Sequence, residues 1–234
     1  MDRMKGIVLR GLAQFESLWQ VFLFLYFPIL IVFILLGVVS RASDHIHLSY
    51  FMHDVVAIAH LPPYAGMISQ VGLMFWTAAA TICIFTVLLL GNREQNRAPK
   101  RFLIQSAFFT TFLLLDDTYM FHEDIVQGYF ETSEKYIYVL YVLFYILILF
   151  SSREEILASE YLILAVAMAL FAVSTLFDAA DLDEYERYGR FFSTSFQNFL
   201  EDGFKFAGIA TWLVYFARYS IQKLRTYSMS TQEI

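Results

Sequence analysis

LWQVFLFLYFPILIVFILLGVV, residues 18–39, contains no charged side chain. A helix rising ~1.5 Å per residue needs roughly 20 apolar residues to cross the hydrocarbon core of a bilayer, and this run has that length. It is too long for the core of a signal peptide, and no small-residue cleavage site follows it, so it reads as a retained anchor. Further apolar stretches repeat the pattern and predict spans at 18–39, 67–91, 102–124, 136–152, 157–178 and 193–217. The expected fold class is all-α: a polytopic integral membrane protein, a six-helix transmembrane bundle with both termini cytoplasmic. Residues 1–234 read as a single transmembrane domain. Within 1–16, Arg3, Lys5 and Arg10 mix with Ile7, Val8, Leu9 and Leu12, a pattern suited to a short interfacial helix.

Composition points the same way. Hydrophobic residues make up 59% of the chain and charged residues 16%, against about 45–50% and about 25% in soluble domains. Mean hydropathy is +0.56. Such a chain is not disordered, since disordered segments lack this much Phe and Leu. The single cysteine, Cys83, excludes an internal disulfide framework and a cysteine-rich zinc site. A net charge of -6 gives no reason to expect nucleic acid as a partner. The expected partners are the lipid bilayer and a cation or protons, with a homo-oligomer compatible with the small-residue faces described below. The expected location is an integral position in the cell (inner) membrane.

Lysine and arginine set the orientation. Arg3, Lys5, Arg10, Arg93, Arg97, Lys100, Arg101, Arg153, Arg218, Lys223 and Arg225 fall on one side of the six spans. Arg41, Lys135, Arg187 and Arg190 fall on the other, and Lys205 lies within a span. The richer side holds both termini, as an even number of crossings requires. The connection at 40–66 then lies outside, with His45, His47, His53 and His60, and Pro62-Pro63 stiffens its exit.

Two spans break the hydrophobic rule. The third contains FFTTFLLLDDTYMFHEDIV, residues 108–126, with Asp116, Asp117, His122, Glu123 and Asp124. The sixth contains SFQNFLEDGFKFAGIATWLVYF, residues 195–216, with Glu201, Asp202 and Lys205. Measured from Arg101, the inner edge of span three, Asp116 and Asp117 lie at roughly 22 and 24 Å. Measured from Arg218, the inner edge of span six, Lys205, Asp202 and Glu201 lie at roughly 20, 24 and 25 Å. Acidic pairs on two distant helices thus reach one level in the outer half of the bilayer. A charge at the bilayer centre costs at least ~2.5–3.5 kcal/mol, and such groups face the bundle interior and find partners. Glu201 and Lys205, four apart, are able to pair along their own helix. Alternatively, Lys205 holds spans three and six together as a purely structural ion pair.

These residues predict a channel or transporter that handles a cation or protons through an intramembrane carboxylate cluster. Asp116, Asp117, Glu201 and Asp202 would bind the ion, Lys205 would tune their charge, and His122, Glu123 and Asp178 would line the outer mouth. A second reading is a metal-dependent intramembrane enzyme acting on a lipid or other amphiphile. A divalent metal ion would be its cofactor, held by His122, Asp117, Asp178 and Glu201, since His and carboxylate ligands suit Zn, Mn or Fe. A third is a non-catalytic membrane assembly subunit whose charges meet a partner helix. There is no Gly-x-Ser-x-Gly, no His-Glu-x-x-His and no phosphate-cradling glycine loop. Small residues recur at 203, 207 and 211 and at 165, 169 and 172, faces that let helices approach closely within the chain or between copies. The 25 Phe and 15 Tyr read from composition as lipid-facing and interfacial, with no aromatic ligand box.

Overall fold

The computed structural model describes residues 2–42, 51–53, 55–91, 93–120, 135–179 and 194–232. Every regular element among them is helical: α1 (Asp2–Ala42), α2 (Val55–Ile58), α3 (Met67–Leu89), a 3-10 turn (Glu94–Asn96), α4 (Arg97–Tyr119), α5 (Lys135–Ser151), α6 (Arg153–Leu157), α7 (Tyr161–Ala179) and α8 (Thr194–Gln232). They fall into two compact units, Met1–Ala65 and Gly66–Ile234.

In the first unit, α1 continues through Pro28 without ending. Its apolar part, Leu18–Ala42, is exposed along its length. The short α2 is followed by a turn closed by the Ala65 N–H on the Pro62 carbonyl, 2.9 Å away. Among the described residues, two helical stretches are long and apolar enough to cross a membrane, Leu18–Ala42 and Met67–Leu89. An N-terminal signal segment or a buried core helix satisfies the same criterion. The other expected crossings fall short of it. The apolar stretches Val139–Ser151 and Tyr161–Phe177 are shorter, and α4 and α8 carry the charges quoted above.

The second unit is built around α8. Its backbone packs against α7 and α3, α3 packs against α4, and α4 against α5. Gly208 brings α7 and α8 together, because a Cβ there would sit 2.7 Å from the Phe171 ring. The α4 and α8 sequences meet in antiparallel register. Asp117 meets Lys205, Thr110 meets Trp212 and Phe102 meets Tyr219. Large side chains rather than backbone bridge that space, and Trp212, Tyr215, Phe216, Tyr219 and Phe102 are all fully buried there.

Polar clips close the end of this unit that holds Arg218. Ser151 and Ser152 hydroxyls donate to Gln105 Oε1 at 3.1 and 3.3 Å, and Arg101 donates to the Ser151 carbonyl at 2.7 Å. Glu155 accepts from Lys223 at 2.5 Å and from the Tyr219 hydroxyl at 2.9 Å. Glu160 pairs with Arg218. The clips join the α5–α6–α7 segment to α4 and α8.

Candidate functional site

The last turn of α4 sets the first half of the site. The helix ends at Tyr119 because Met120 turns left-handed (φ 49, ψ 44) and its N–H caps the Asp116 carbonyl. Asp116 and Asp117 therefore sit at the carbonyl end of a helix, where partial negative charge disfavours carboxylates and favours a cation. Asp116 is 5% exposed. The Asp117 carboxylate accepts from Lys205 Nζ of α8 at Oδ1 and from the Trp76 indole N–H of α3 at Oδ2, 3.3 Å away. Three helices are thus tied at one carboxylate. Lys205 thus crosses from α8 to Asp117 of α4, the inter-helix pairing that the sequence offered beside pairing along α8.

A cavity of about 210 Å³ opens beside this pair. Asp116, Asp117, Glu201 and Lys205 all line it, together with Ser174 and Thr175 of α7. Three carboxylates thus share the wall with one ammonium. The remaining wall is largely aromatic: Trp76, Phe109, Tyr141, Tyr145, Phe171 and Trp212. Trp212 is 1% exposed and lies against rings from four other helices, Trp76 of α3, Phe109 of α4, Tyr145 of α5 and Phe171 of α7. Its N–H donates to the Thr110 hydroxyl at 3.0 Å, so its one polar atom is satisfied and its orientation fixed. Lys205 and Trp212 are seven residues apart on α8, or about 10 Å along the axis. The charged groups occupy one end of the cavity and the ring of Trp212 closes toward the clipped end. Tyr145, 6% exposed, keeps a buried hydroxyl with no hydrogen-bond partner among the described residues.

Not every expected site residue belongs here. Asp202 is exposed and does not line the cavity. At 3.6 residues per turn it points about 100° away from Glu201, and the face carrying Glu201 and Lys205 is the one that turns inward. His122 and Glu123 lie outside the described residues, as does the Asp178 side chain, although Asp178 falls within α7. Among the described residues, no group of three or more His, Cys, Asp or Glu side chains is arranged to hold a metal ion. His53 and His60 are exposed. Ala165, Ala169 and Ala172 are exposed and Gly203 has nothing within 4 Å of a Cβ, while Gly208 makes the close approach between α7 and α8.

The aromatic wall is the part the sequence reading missed, because composition assigns Phe, Tyr and Trp to lipid. Spacing carries the signal. Trp212, Tyr215, Phe216 and Tyr219 recur at i, i+3, i+4 and i+7, and Phe102 and Phe109 are seven apart, so each set forms one helix face.

Residues 23–219 match a family described as a domain of unknown function, DUF8692. The chain belongs to that family. The DUF8692 region takes in every residue that lines the cavity. No curated protein and no solved structure matches the chain.

Proposed function

We propose that this DUF8692 protein spans a membrane with six helices, both termini on one side, and handles a cation or protons at the cavity between α4 and α8. The observation that carries the reading is the convergence of Asp116, Asp117, Glu201 and Lys205 on one cavity beside a helix C-terminus. Among the described residues that line the cavity, acidic groups outnumber basic ones, an excess that suits a cation or protons.

The exterior of the bundle supports the membrane setting. Leu88, Phe150, Leu176 and Leu162, from α3, α5 and α7, are exposed large apolar groups, as is much of α1. Soluble monomers rarely present contiguous apolar surface of this kind. In a bilayer it costs nothing, while charged side chains turn inward and find partners.

Transport by alternating access fits better than an open pore. Trp212 and its ring neighbours fill the space below the charges, and the Glu155–Lys223 and Glu160–Arg218 pairs clip the far end. An ion at the carboxylates would meet a closed floor, so passage requires α8 to move against its neighbours.

The test is flux in proteoliposomes reconstituted with the full chain, under imposed Na⁺, K⁺, alkylammonium or pH gradients. Flux is expected for the wild type, falling at least tenfold in Asp116→Asn and Glu201→Gln and remaining in Asp202→Asn. A wild type without flux, or equal flux in the wild type and both cavity variants, refutes the reading.

A further inference from the structure

We infer that the cavity takes an organic ammonium ion, a cationic amine carrying an apolar body, in preference to a bare metal ion or inorganic cation. The inference rests on the reading of the cavity as a cation site and specifies its ligand.

Volume is the first argument. The cavity holds about 210 Å³. A dry cavity of about 150 Å³ lined by Leu, Ile and Phe accepts benzene, so the space here suits a small organic molecule and exceeds what a proton or a desolvated metal ion needs. Wall chemistry is the second. Hard cations are held by a shell of six or more oxygen ligands. Oxygens are present on the wall, but among the described residues no three His, Cys, Asp or Glu side chains are grouped to hold a metal ion, and Asp117 accepts from Lys205 and Trp76. Rings make up its largest group of side chains: Trp76, Phe109, Tyr141, Tyr145, Phe171 and Trp212.

Aromatic faces attract cations through the ring quadrupole, and quaternary and alkylated ammonium groups are recognised by such cages. Their weaker hydration makes the exchange of water for rings less costly than it is for Na⁺ or Mg²⁺. Asp116 and Glu201 supply formal charge at one end, and the rings around Trp212 supply an apolar bed at the other. A ligand with a charged head and a hydrophobic tail matches that polarity. Lys205, tied to Asp117 across the bundle, marks the end where a second ammonium would meet repulsion unless Asp116 and Glu201 offset it.

Calorimetric titration of the full chain in lipid nanodiscs tests this, with phenethylammonium chloride as the probe and 2-phenylethanol as its uncharged counterpart of the same shape. Saturable phenethylammonium binding, at least tenfold tighter than the alcohol, is expected. Glu201→Gln should weaken the ammonium at least tenfold and leave the alcohol unchanged. Equal binding of the two probes to the wild type overturns the inference, and that comparison does not depend on any variant folding. Absence of phenethylammonium binding also overturns it. If inorganic cation or proton flux then still depends on Asp116 and Glu201, the transport reading stands without this one. If that flux is absent too, both fall.

Discussion

Lys205→Met tests whether the charge pair at the head of the cavity is energetically real. Asp117 and Lys205 side chains are 14% and 37% exposed, so the pair is only partly shielded from water. Hydrogen bonds to charged groups contribute about 1.5–3 kcal/mol, and stranding a buried charge costs more than losing a neutral partner. Removing Lys205 strands the more buried member, with the Trp76 N–H left as a donor, and should cost about 2–3 kcal/mol. Asp117→Asn should cost less, about 1 kcal/mol, because Lys205 is more exposed and has Glu201 one turn away on its own helix. The double variant removes both charges, so its cost should fall short of the sum by at least about 1 kcal/mol. At roughly 2–4 °C per kcal/mol for a unit of this size, the single Lys205 change lowers Tm by about 4–12 °C. Thermal unfolding in nanodiscs, read from Trp76 and Trp212 emission in a Trp19→Phe background, provides the measurement. Effects additive within ~0.5 kcal/mol, or a larger loss for Asp117→Asn than for Lys205→Met, would show that the two charges do not stabilise each other in this way.

Other consequences follow from single contacts. Gly208→Ala places a Cβ 2.7 Å from a Phe171 ring that is already stacked on Trp76, and should cost about 1–3 kcal/mol in the same unfolding assay. Gly203→Ala, with open space around it, should be neutral or stabilise by up to about 1 kcal/mol through helix propensity. Thr110→Val removes the acceptor of the buried Trp212 N–H and should destabilise by about 1–3 kcal/mol, visible as a shifted tryptophan emission. At the clipped end, the Arg218 guanidinium hydrogen-bonded to Glu160 holds that carboxyl below its ordinary range. A depressed folded-state pKa contributes stability above the unfolded value, about 4.3 for Glu, and loses it as pH falls through the folded value. The stability difference between wild type and Glu160→Gln should therefore be largest near neutral pH and vanish on acidification. A difference that grows with acid would contradict the pairing.

The charged half of the site was readable because charges inside long apolar stretches stand out and helical rise is fixed. Counting inward from Arg101 and Arg218 set the acidic pairs of the two helices at one level with Lys205 about one turn away, and Lys205 meets Asp117 across the bundle. Depth arithmetic does not include rotation about the helix axis. That is why Asp202, one residue from Glu201, was grouped with it although it faces outward. The aromatic wall was not readable from composition, because a ring has the same hydropathy whether it meets lipid or another ring. The recurrence of Trp212, Tyr215, Phe216 and Tyr219 on one face marks the buried side of α8, from which Trp212 reaches the cavity. Gly208 was missed for a related reason. Its neighbour is Phe171, a large side chain on another helix, and no spacing rule along α8 points to it.

If Asp116 and Glu201 hold a cation or protons at one cavity, their carboxyl groups change protonation or ligation as the ion enters and leaves. Infrared difference spectroscopy of the full chain in lipid, recorded across a step in pH or cation concentration, observes this at the carboxyl groups themselves. Carboxyl bands are expected in the wild type that are lost singly in Asp116→Asn and in Glu201→Gln and persist in Asp202→Asn. Difference spectra identical in the wild type and both cavity variants would contradict that expectation.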